Sequence, residues 1–319
     1  MLQQEIIIRP YKSGDAEKIF SLFQRYTDYQ RDEAFWVWIN RLLTYSIISV
    51  AELKGEIVGH YAILPRTCRL QNGTLLHSGL GIHAFVEPQH RDKVSIFSIS
   101  SIAYKLAKER GIQFIYGFPN KSYRLIQEKI ERWNKVAIFN ALVKKPAQIP
   151  SSLKFNWKKV EEHDYLDLLK LNELFEKSEL KYNGFLSGLD YWHKRYLYHP
   201  QKLYEMWKLD HNNLIVGFLV TKLFKVDGFI RLHVIDFQLR GDLKLIDFVP
   251  DIECKFSSVT EMVFWPFNIE VAKSLRDYGY VEEGFDTYFG IKILDKSIDD
   301  SLILNYRNWH LTMGDSDAF

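Results

Sequence analysis

Two segments of this chain are built to one pattern, and that repetition limits the folds open to it. Phe114-Ile-Tyr-Gly-Phe-Pro-Asn120 runs into the amphipathic stretch Lys121 to Arg132 and then Trp133; Met262-Val-Phe-Trp-Pro-Phe-Asn268 runs into Ile269 to Tyr278 and then Gly279-Tyr280. Each reads as an apolar strand, a proline turn, an asparagine placed to cap a helix, the helix, and an aromatic residue where the chain leaves it. Upstream, Glu56-Ile-Val-Gly-His-Tyr61 answers Leu214-Ile-Val-Gly-Phe-Leu219, and Phe35-Trp36 to Asn40 answers Tyr191-Trp192 to Tyr196. The three pairs are offset by 148, 158 and 156 residues, which fits one domain type repeated with loops of different length. The 319 residues are also about two ordinary domains long. The expected division is a first domain at 1–146, a proline-bearing linker at Lys144 to Ser152, a second domain at 150–307, and a polar, acidic tail at 308–319.

Composition narrows the function classes. Hydrophobic residues make up 47% of the chain, so either half can bury a core, yet no run reaches the roughly 18 uninterrupted apolar residues of a membrane helix. The start, Met1-Leu-Gln-Gln-Glu5, passes straight into Ile6-Ile-Ile8 without a basic leader or cleavage site, so a cytoplasmic location with no membrane insertion is expected. Cys68 and Cys254 fall in different halves, with no CxxC and no histidine cluster at ligand spacing; neither a disulfide framework nor a metal site is expected. A formal charge of +2 lacks the basic excess needed to follow a phosphate backbone, and nucleic acid is not an expected partner.

Hydrophobic period then gives the order of elements. Ile6 to Arg9 reads as a strand, and Ala16, Ile19, Phe20 and Phe23 recur at helical spacing after the turn Pro10 to Asp15. Arg31 to Leu43 reads as a second helix; Ile47 to Glu52, Ile57 to Leu64 and Thr67 to Leu70 read as strands, with Pro65-Arg66 between the last two and a tight turn at Asn72-Gly73. Leu80 to Val86 is a buried strand ended by Pro88, and Ser95 to Arg110 is a helix stopped by Gly111. Ala137 to Val143 closes the half as a strand. The second half repeats the order, with helices at Tyr165 to Phe175 and Asp190 to Tyr198, strands at Leu203 to Leu209, Leu214 to Phe224 and Phe229 to Gln238, and a helix at Lys244 to Lys255 that contains Pro250.

This order, with the strand ending Phe85-Val-Glu-Pro88 followed by His90-Arg91-Asp92-Lys93 and a helix, and the second strand ending Phe118-Pro-Asn120 with its own helix, resembles the GNAT acyltransferase superfamily. More narrowly it resembles the tandem members, and the resemblance covers nearly the whole chain. It implies an α/β (α+β) fold of two tandem GNAT-like domains, each a mixed, mostly antiparallel sheet flanked by helices. It also implies acetyl-CoA as acyl donor, without a metal, and a small-molecule amine as acceptor. In that family an Arg/Gln-x-x-Gly-x-Gly/Ala segment opens the helix and holds the acyl-CoA pyrophosphate on backbone N–H groups and the helix N-terminus. Here the matching stretch is Gln89-His-Arg-Asp-Lys-Val-Ser95, with Asp92 and Val94 at both glycine positions. A side chain at the first restricts the turn, and a carboxylate there opposes phosphates unless it points away. Arg91, Lys93 and Ser95 still offer charge and a donor, although the segment also reads as a solvated turn capping a helix. By the resemblance the cofactor-binding positions are Phe85, Val86, Arg91, Asp92, Lys93, Val94, Ser95 and Asn120, the last also a helix cap. In the second half Gln238-Leu-Arg-Gly-Asp-Leu-Lys244 has one glycine and scattered basic residues, so acyl-CoA is expected in the first domain only.

The chemistry the resemblance implies is acyl transfer from a thioester to a neutral amine. A base removes the amine proton, a donor protonates the leaving thiolate, and an exposed strand N–H polarises the carbonyl. His83, on the central strand, is the first candidate base because an unperturbed imidazole titrates near neutrality; Glu87 and then His60 are the alternatives. Each also reads as an ordinary structural residue. The family often places a tyrosine acid two helical turns beyond the asparagine, where this chain has Gln127; Tyr123, one turn in, is the candidate substitute. Trp36, Trp38, Tyr61, Phe85, Trp192, Tyr196 and Trp265 are core residues by default, with some available to line an acceptor cleft. Three readings stay open: an N-acetyltransferase acting on a small amine, an amino sugar among the candidates and bacterial metabolism the implied setting; a catalytically inactive scaffold of the same fold; and an aminoacyl-tRNA-dependent transferase, which the near-neutral charge disfavours.

Overall fold

The structure is a computed structural model and describes residues 6–26, 32–42, 45–147, 153–161, 164, 169, 181–186, 188–212, 214–226, 228–240 and 243–317. In chain order the first half has β1 (Ile7–Pro10), α1 (Asp15–Tyr26), α2 (Glu33–Val37), β2 (Ile47–Leu53), β3 (Glu56–Arg69), β4 (Leu75–Val86), α3 (Ile96–Glu109), β5 (Phe114–Gly117), α4 (Lys121–Lys129) and β6 (Asn134–Lys144). The second has β7 (Asn156–Lys159), β8 (Gly184–Phe185), α5 (Leu189–Trp192), β9 (Glu205–His211), β10 (Leu214–Val226), β11 (Phe229–Leu239), α6 (Val249–Lys255), β12 (Glu261–Phe264), α7 (Ile269–Asp277), β13 (Val281–Ile293) and α8 (Asp300–Leu304). The expected helix at Tyr165 to Phe175 lies outside the described residues.

The chain forms two compact units. The first is Met1–Arg69, Thr74–Ala137 and Tyr288–Leu304; the second is Leu70–Gly73, Ile138–Thr287 and Asn305–Phe319. The first sheet runs β1-β2-β3-β4-β5 and is completed by the end of β13, whose Gly290 to Ile293 pair antiparallel with Gly117 to Phe114. The second runs β7-β9-β10-β11-β12 and is completed by the end of β6, whose Leu142 to Lys144 pair with Phe264 to Met262. In both sheets the pairs are antiparallel except β4/β5 and β11/β12, so each unit is a mixed, mostly antiparallel sheet. A division at 146/150 therefore differs from the packing: the strand expected to close the first half completes the second sheet, and residues 288–304 complete the first. The repeat makes this exchange cheap, since β13 offers β5 the same kind of strand that β6 offers β12.

Local signals account for most element ends. Ser95, Asn120 and Asn268 accept from Phe97 N, Tyr123 N and Val271 N at 3.2, 2.9 and 2.9 Å, capping α3, α4 and α7, and Gly111 ends α3 at φ +77°. Pro65 does not separate two strands, because it lies beyond the last β2 pair, Ile47↔Ile63, where its missing N–H breaks no β2 ladder bond. The expected helix over Lys244 to Lys255 begins later, after a short turn at Leu245–Asp247, and Pro250 sits in the first turn of α6, where no intrahelical donor is needed. The helix over Arg31 to Leu43 splits into α2, capped by Asp32, and a π-helical turn at Trp38–Leu42.

In the first unit α3 covers one sheet face, where Ile99, Ala103, Tyr104 and Ala107 pack with Val58, Tyr61, Ile63, Val86, Ile115 and Trp133. Strand alternation sends His60, the neighbour of Tyr61, to the opposite face, where Phe23 of α1 meets it at 5.3 Å between ring centroids. In the second unit residues 308–317 are not a solvated tail. Trp309, Leu311 and Met313 are buried, Leu311 N donates to Phe267 O at 2.7 Å, and Arg195 donates to Ser316 O at 3.1 Å. Three apolar residues at every second position, among polar ones, hid a buried extended segment within a polar average.

Candidate active site

The first unit's sheet opens at its centre. β4 and β5 pair from Ser78↔Phe114 to Leu80↔Tyr116 and no further, while β4 runs on to Val86 along β3. A bulge falls just past that point: His60 is opposite Phe85 and Ala62 opposite Ile82, which leaves Tyr61 facing both His83 and Ala84. His83 takes the left-handed backbone form, φ +54°, rare for a residue with a side chain. The bulge is held from inside. His60 Nδ1 lies 3.1 Å from the His83 carbonyl, and since a carbonyl only accepts, Nδ1 carries the proton. His60 is fully buried and clamps the bulge, whereas His83 is half-buried on the α1 face, its ring 5.5 Å from Phe23, 6.4 Å from Phe35 and 6.1 Å from His60.

Glu87 lies just past β4, its amide still bonded to Val58 O, and its carboxylate is buried. It accepts from Tyr26 OH at 2.8 Å and Arg25 at 3.4 Å, with His90 Nε2 at 3.3 Å. The Glu87 hydrogen bond is the first cause that raises Tyr26 above the ordinary phenol range. Glu87 thus ties the end of α1 to the end of β4, and Tyr26 stands 5.7 Å from Phe85. Arg25 and Tyr26 were not singled out in the sequence; for Tyr26 the signal was there, because it follows Phe23 by three residues, one turn on along the same helix face.

The loop into α3 is built differently from a glycine cradle. The amides of Lys93 and Val94 both donate to His90 O, at 3.0 and 2.8 Å, and the Val94 side chain is buried in the α3 core cluster. Arg91, Asp92, Lys93 and Ser95 are exposed. Arg91 Nε donates to Val86 O at 3.0 Å, with its guanidinium 6.0 Å from the Phe85 ring. What this loop offers an anion is therefore side-chain charge rather than a row of amides.

Asn120 is exposed at the start of α4. One turn on, the Tyr123 hydroxyl donates to Glu131 at 3.0 Å, where Ser100 at 2.8 Å and Tyr104 at 2.5 Å donate as well, and Trp133 Nε1 donates to Tyr104 OH at 3.1 Å. Burial, then Tyr61, then the Glu131 charge push Tyr123 well above the usual phenol range. Gln127, at the position the resemblance gives to an acid, is buried with Oε1 making no hydrogen bond. Tyr123→Phe is expected to cost about 1–2 kcal/mol of stability, one donor to a buried carboxylate, with turnover little changed. A tenfold loss of kcat at unchanged melting temperature would instead restore Tyr123 as the acid.

The profile described as "Acetyltransferase (GNAT) domain" matches residues 7–129, which span α1 to α4 and the opened β4/β5 pair. Residues 7–129 of the chain therefore carry a GNAT acetyltransferase domain. No curated protein matches it in sequence. Among solved structures it is similar to a GCN5-related N-acetyltransferase from Anabaena variabilis (TM-score 0.69, 10% identity, 91% of this chain and 73% of that one). A probable N-acyltransferase from Enterococcus faecalis gives 0.69, 10%, 92% and 73%, and Eis1 from Mycobacterium abscessus 0.64, 12%, 94% and 76%. At such identities the likeness is one of fold.

The second unit repeats the opening and fills it. β11 and β12 pair only from Arg231↔Glu261 to His233↔Val263, and a register shift follows at Val220/Thr221 opposite β11. The segment after Trp309 lies there: His310 is stacked on Phe267 beyond β12 at 5.9 Å and meets Phe237 of β11 at 5.5 Å, while the Met313–Asp315 turn packs on β11. Gly314 is required, since a Cβ would collide with the Tyr196 hydroxyl, itself bonded to Asp236 at 2.8 Å. Burial brings His310 down to about 4 and keeps it neutral, and Asn268 Nδ2 donates to its Nδ1 at 2.9 Å. Among the described residues no group of three His, Cys, Asp or Glu side chains is placed to hold a metal ion, and no helix is long and apolar enough to cross a membrane.

Proposed function

We propose that this GNAT-family N-acyltransferase moves an acyl group, acetyl first, from acyl-CoA to the amine of a small molecule, with amino sugars the first class to screen. The observation that carries the reading is the bulge at His83, where β4 parts from β5 and a half-buried imidazole stands beside the opening. The residues there fit the donor: the free edge of β4 around Phe85 and Val86 would hold the pantetheine arm with Asn120, and Arg91, Lys93 and Ser95 would hold the pyrophosphate. When bound, acyl-CoA supplies the thioester to be attacked. His83 takes the proton from the acceptor amine on the α1 face, Glu87 holds Tyr26 and Arg25 at the rim, and His60 keeps the bulge in place.

The first tandem domain is the proposed binding domain; the second, whose corresponding opening is occupied by residues 309–316, shapes the molecule without a cofactor. Calorimetry on the full chain with acetyl-CoA is expected to return one site per chain. A second site would defeat the assignment, and no binding at millimolar ligand would favour the inactive scaffold, which Asp92, Val94 and Gln127 also fit. Asp92→Gly is expected to tighten binding about fivefold by removing one like charge, about 1 kcal/mol, from a partly exposed site. Arg91→Ala with Lys93→Ala is expected to weaken it more at low salt than at high. Unchanged or weaker binding in Asp92→Gly would show that the carboxylate points away or supports the turn.

A further inference from the structure

We infer that the ε-amine of Lys222 is an acyl acceptor within the chain, a modification site for small acyl thioesters. Lys222 is on β10, directly opposite His233 of β11, and is half-buried. Its Nζ stands 4.5 Å from the Phe224 ring centroid and 5.6 Å from that of Tyr204. Around it stand Arg195 of a second π-helical turn, His193–Leu197, its guanidinium 5.5 Å from the Tyr204 ring; His199 of the loop after it, its ring 5.2 Å from Tyr204; and His233 of β11, 4.4 Å from Phe224. Further along β11, Arg231 is paired with Glu261 at 2.7 Å, and Asp236 accepts from Tyr196 OH at 2.8 Å.

Both of those carboxylates are engaged by other groups, and among the described residues Lys222 makes no ion pair. Other lysines of the same unit do: Lys144 with Glu253 and Lys159 with Glu205 at 2.9 Å, Lys194 with Asp190 at 2.7 Å. A half-buried lysine placed beside another cation and without an ion-pair partner holds its proton less tightly than an exposed one, which is how proteins make a nucleophilic amine. Burial first, and Arg195 second, bring Lys222 down to about 8. The same surroundings hold His199 and His233 at about 3, so neither imidazole adds a charge near neutral pH.

At pH 7.5 an amine of this basicity is roughly one-quarter neutral, against about one part in a thousand for an ordinary lysine. A less basic amine is also a weaker nucleophile, by about tenfold over this interval if amines follow the slope known for thiols. The net advantage is about tenfold to twentyfold. In the reaction the Nζ lone pair attacks the thioester carbonyl carbon, a C–N bond forms and the C–S bond breaks. The electron pair leaves on sulfur, and the Nζ proton passes to solvent or the thiolate. The products are an N-acyl-lysine and a free thiol, with no change of oxidation state.

The inference rests on the acyltransferase reading only for the identity of the natural donor, and the test separates the two. The intact chain is incubated at pH 7.5 with S-acetyl-N-acetylcysteamine, a small thioester that needs no CoA site, and in parallel with acetyl-CoA, and acetylation of each lysine is followed by peptide mass spectrometry. Lys222 is expected to react about tenfold faster than Lys159 and Lys181, both paired with glutamates, with its rate levelling off above about pH 8 while theirs still climb. Lys222→Arg is expected to remove that fast site and leave the other rates alone. Labelling by the small thioester but not by acetyl-CoA keeps Lys222 as the acceptor and removes acetyl-CoA as its donor. Labelling of Lys222 no faster than Lys159 by the small thioester overturns the inference.

Discussion

His83→Asn is expected to lower turnover by about a hundredfold or more while leaving the acetyl-CoA dissociation constant and the melting temperature close to those of the parent chain. Asparagine is the substitution of choice because it tolerates the left-handed backbone at φ +54°, whereas alanine there adds strain of its own and would blur a catalytic loss with a folding one. The size follows from removing a general base, the usual scale being 10²–10⁴. The acid limb of the rate profile should disappear with it if His83 is the base, because a protonated imidazole cannot accept the amine proton. Near-normal turnover across the pH range would put the base elsewhere. Glu87→Gln is then the next variant, although Tyr26 and Arg25 already hold that carboxylate. His60 comes last, since its ring is fully buried beneath the bulge, away from any acceptor amine.

Trp309→Ala is expected to destabilise the chain by about 3–5 kcal/mol, the cost of emptying a fully buried tryptophan site. The loss should appear as an earlier first transition in urea, because a two-unit chain need not unfold in one step. Trp309 meets Phe185 at 5.2 Å between ring centroids and forms a bridge with Asn183, which also exchanges hydrogen bonds with the backbone of Asn308 and His310. A substitution in a solvated tail would leave the transition where it was, and that outcome would show that residues 308–317 do not hold the second unit together.

Much of the fold was legible because it is written in local terms. The paired segments ending at Asn120 and Asn268 become strand, turn and capped helix in both halves, since an asparagine cap, a proline turn and a helical apolar face act within a few residues of one another. The same locality made Ser95, Gly111 and the α1 face readable. His83 was legible as a polar residue on a central strand, but its left-handed backbone was not, since a bulge is the outcome of register between β3 and β4, residues more than twenty apart. Tyr123 could be placed on α4 by spacing, yet its bond to Glu131 depends on how α3 and α4 pack.

The sequence by itself determined that one α/β pattern of elements is written twice, which residues border the central strand, and that Asp92 and Val94 stand where the resemblance calls for glycines. Periodicity and short-range capping survive in any context and can be read without coordinates. Only the tertiary structure decided which strand completes which sheet, that Lys93 and Val94 turn their amides onto His90 O, and that the polar-looking end of the chain fills the second opening. Two halves with one element order offer one another interchangeable strands, and a segment of mixed polarity is buried or solvated according to whether the fold presents it with a gap of the right shape.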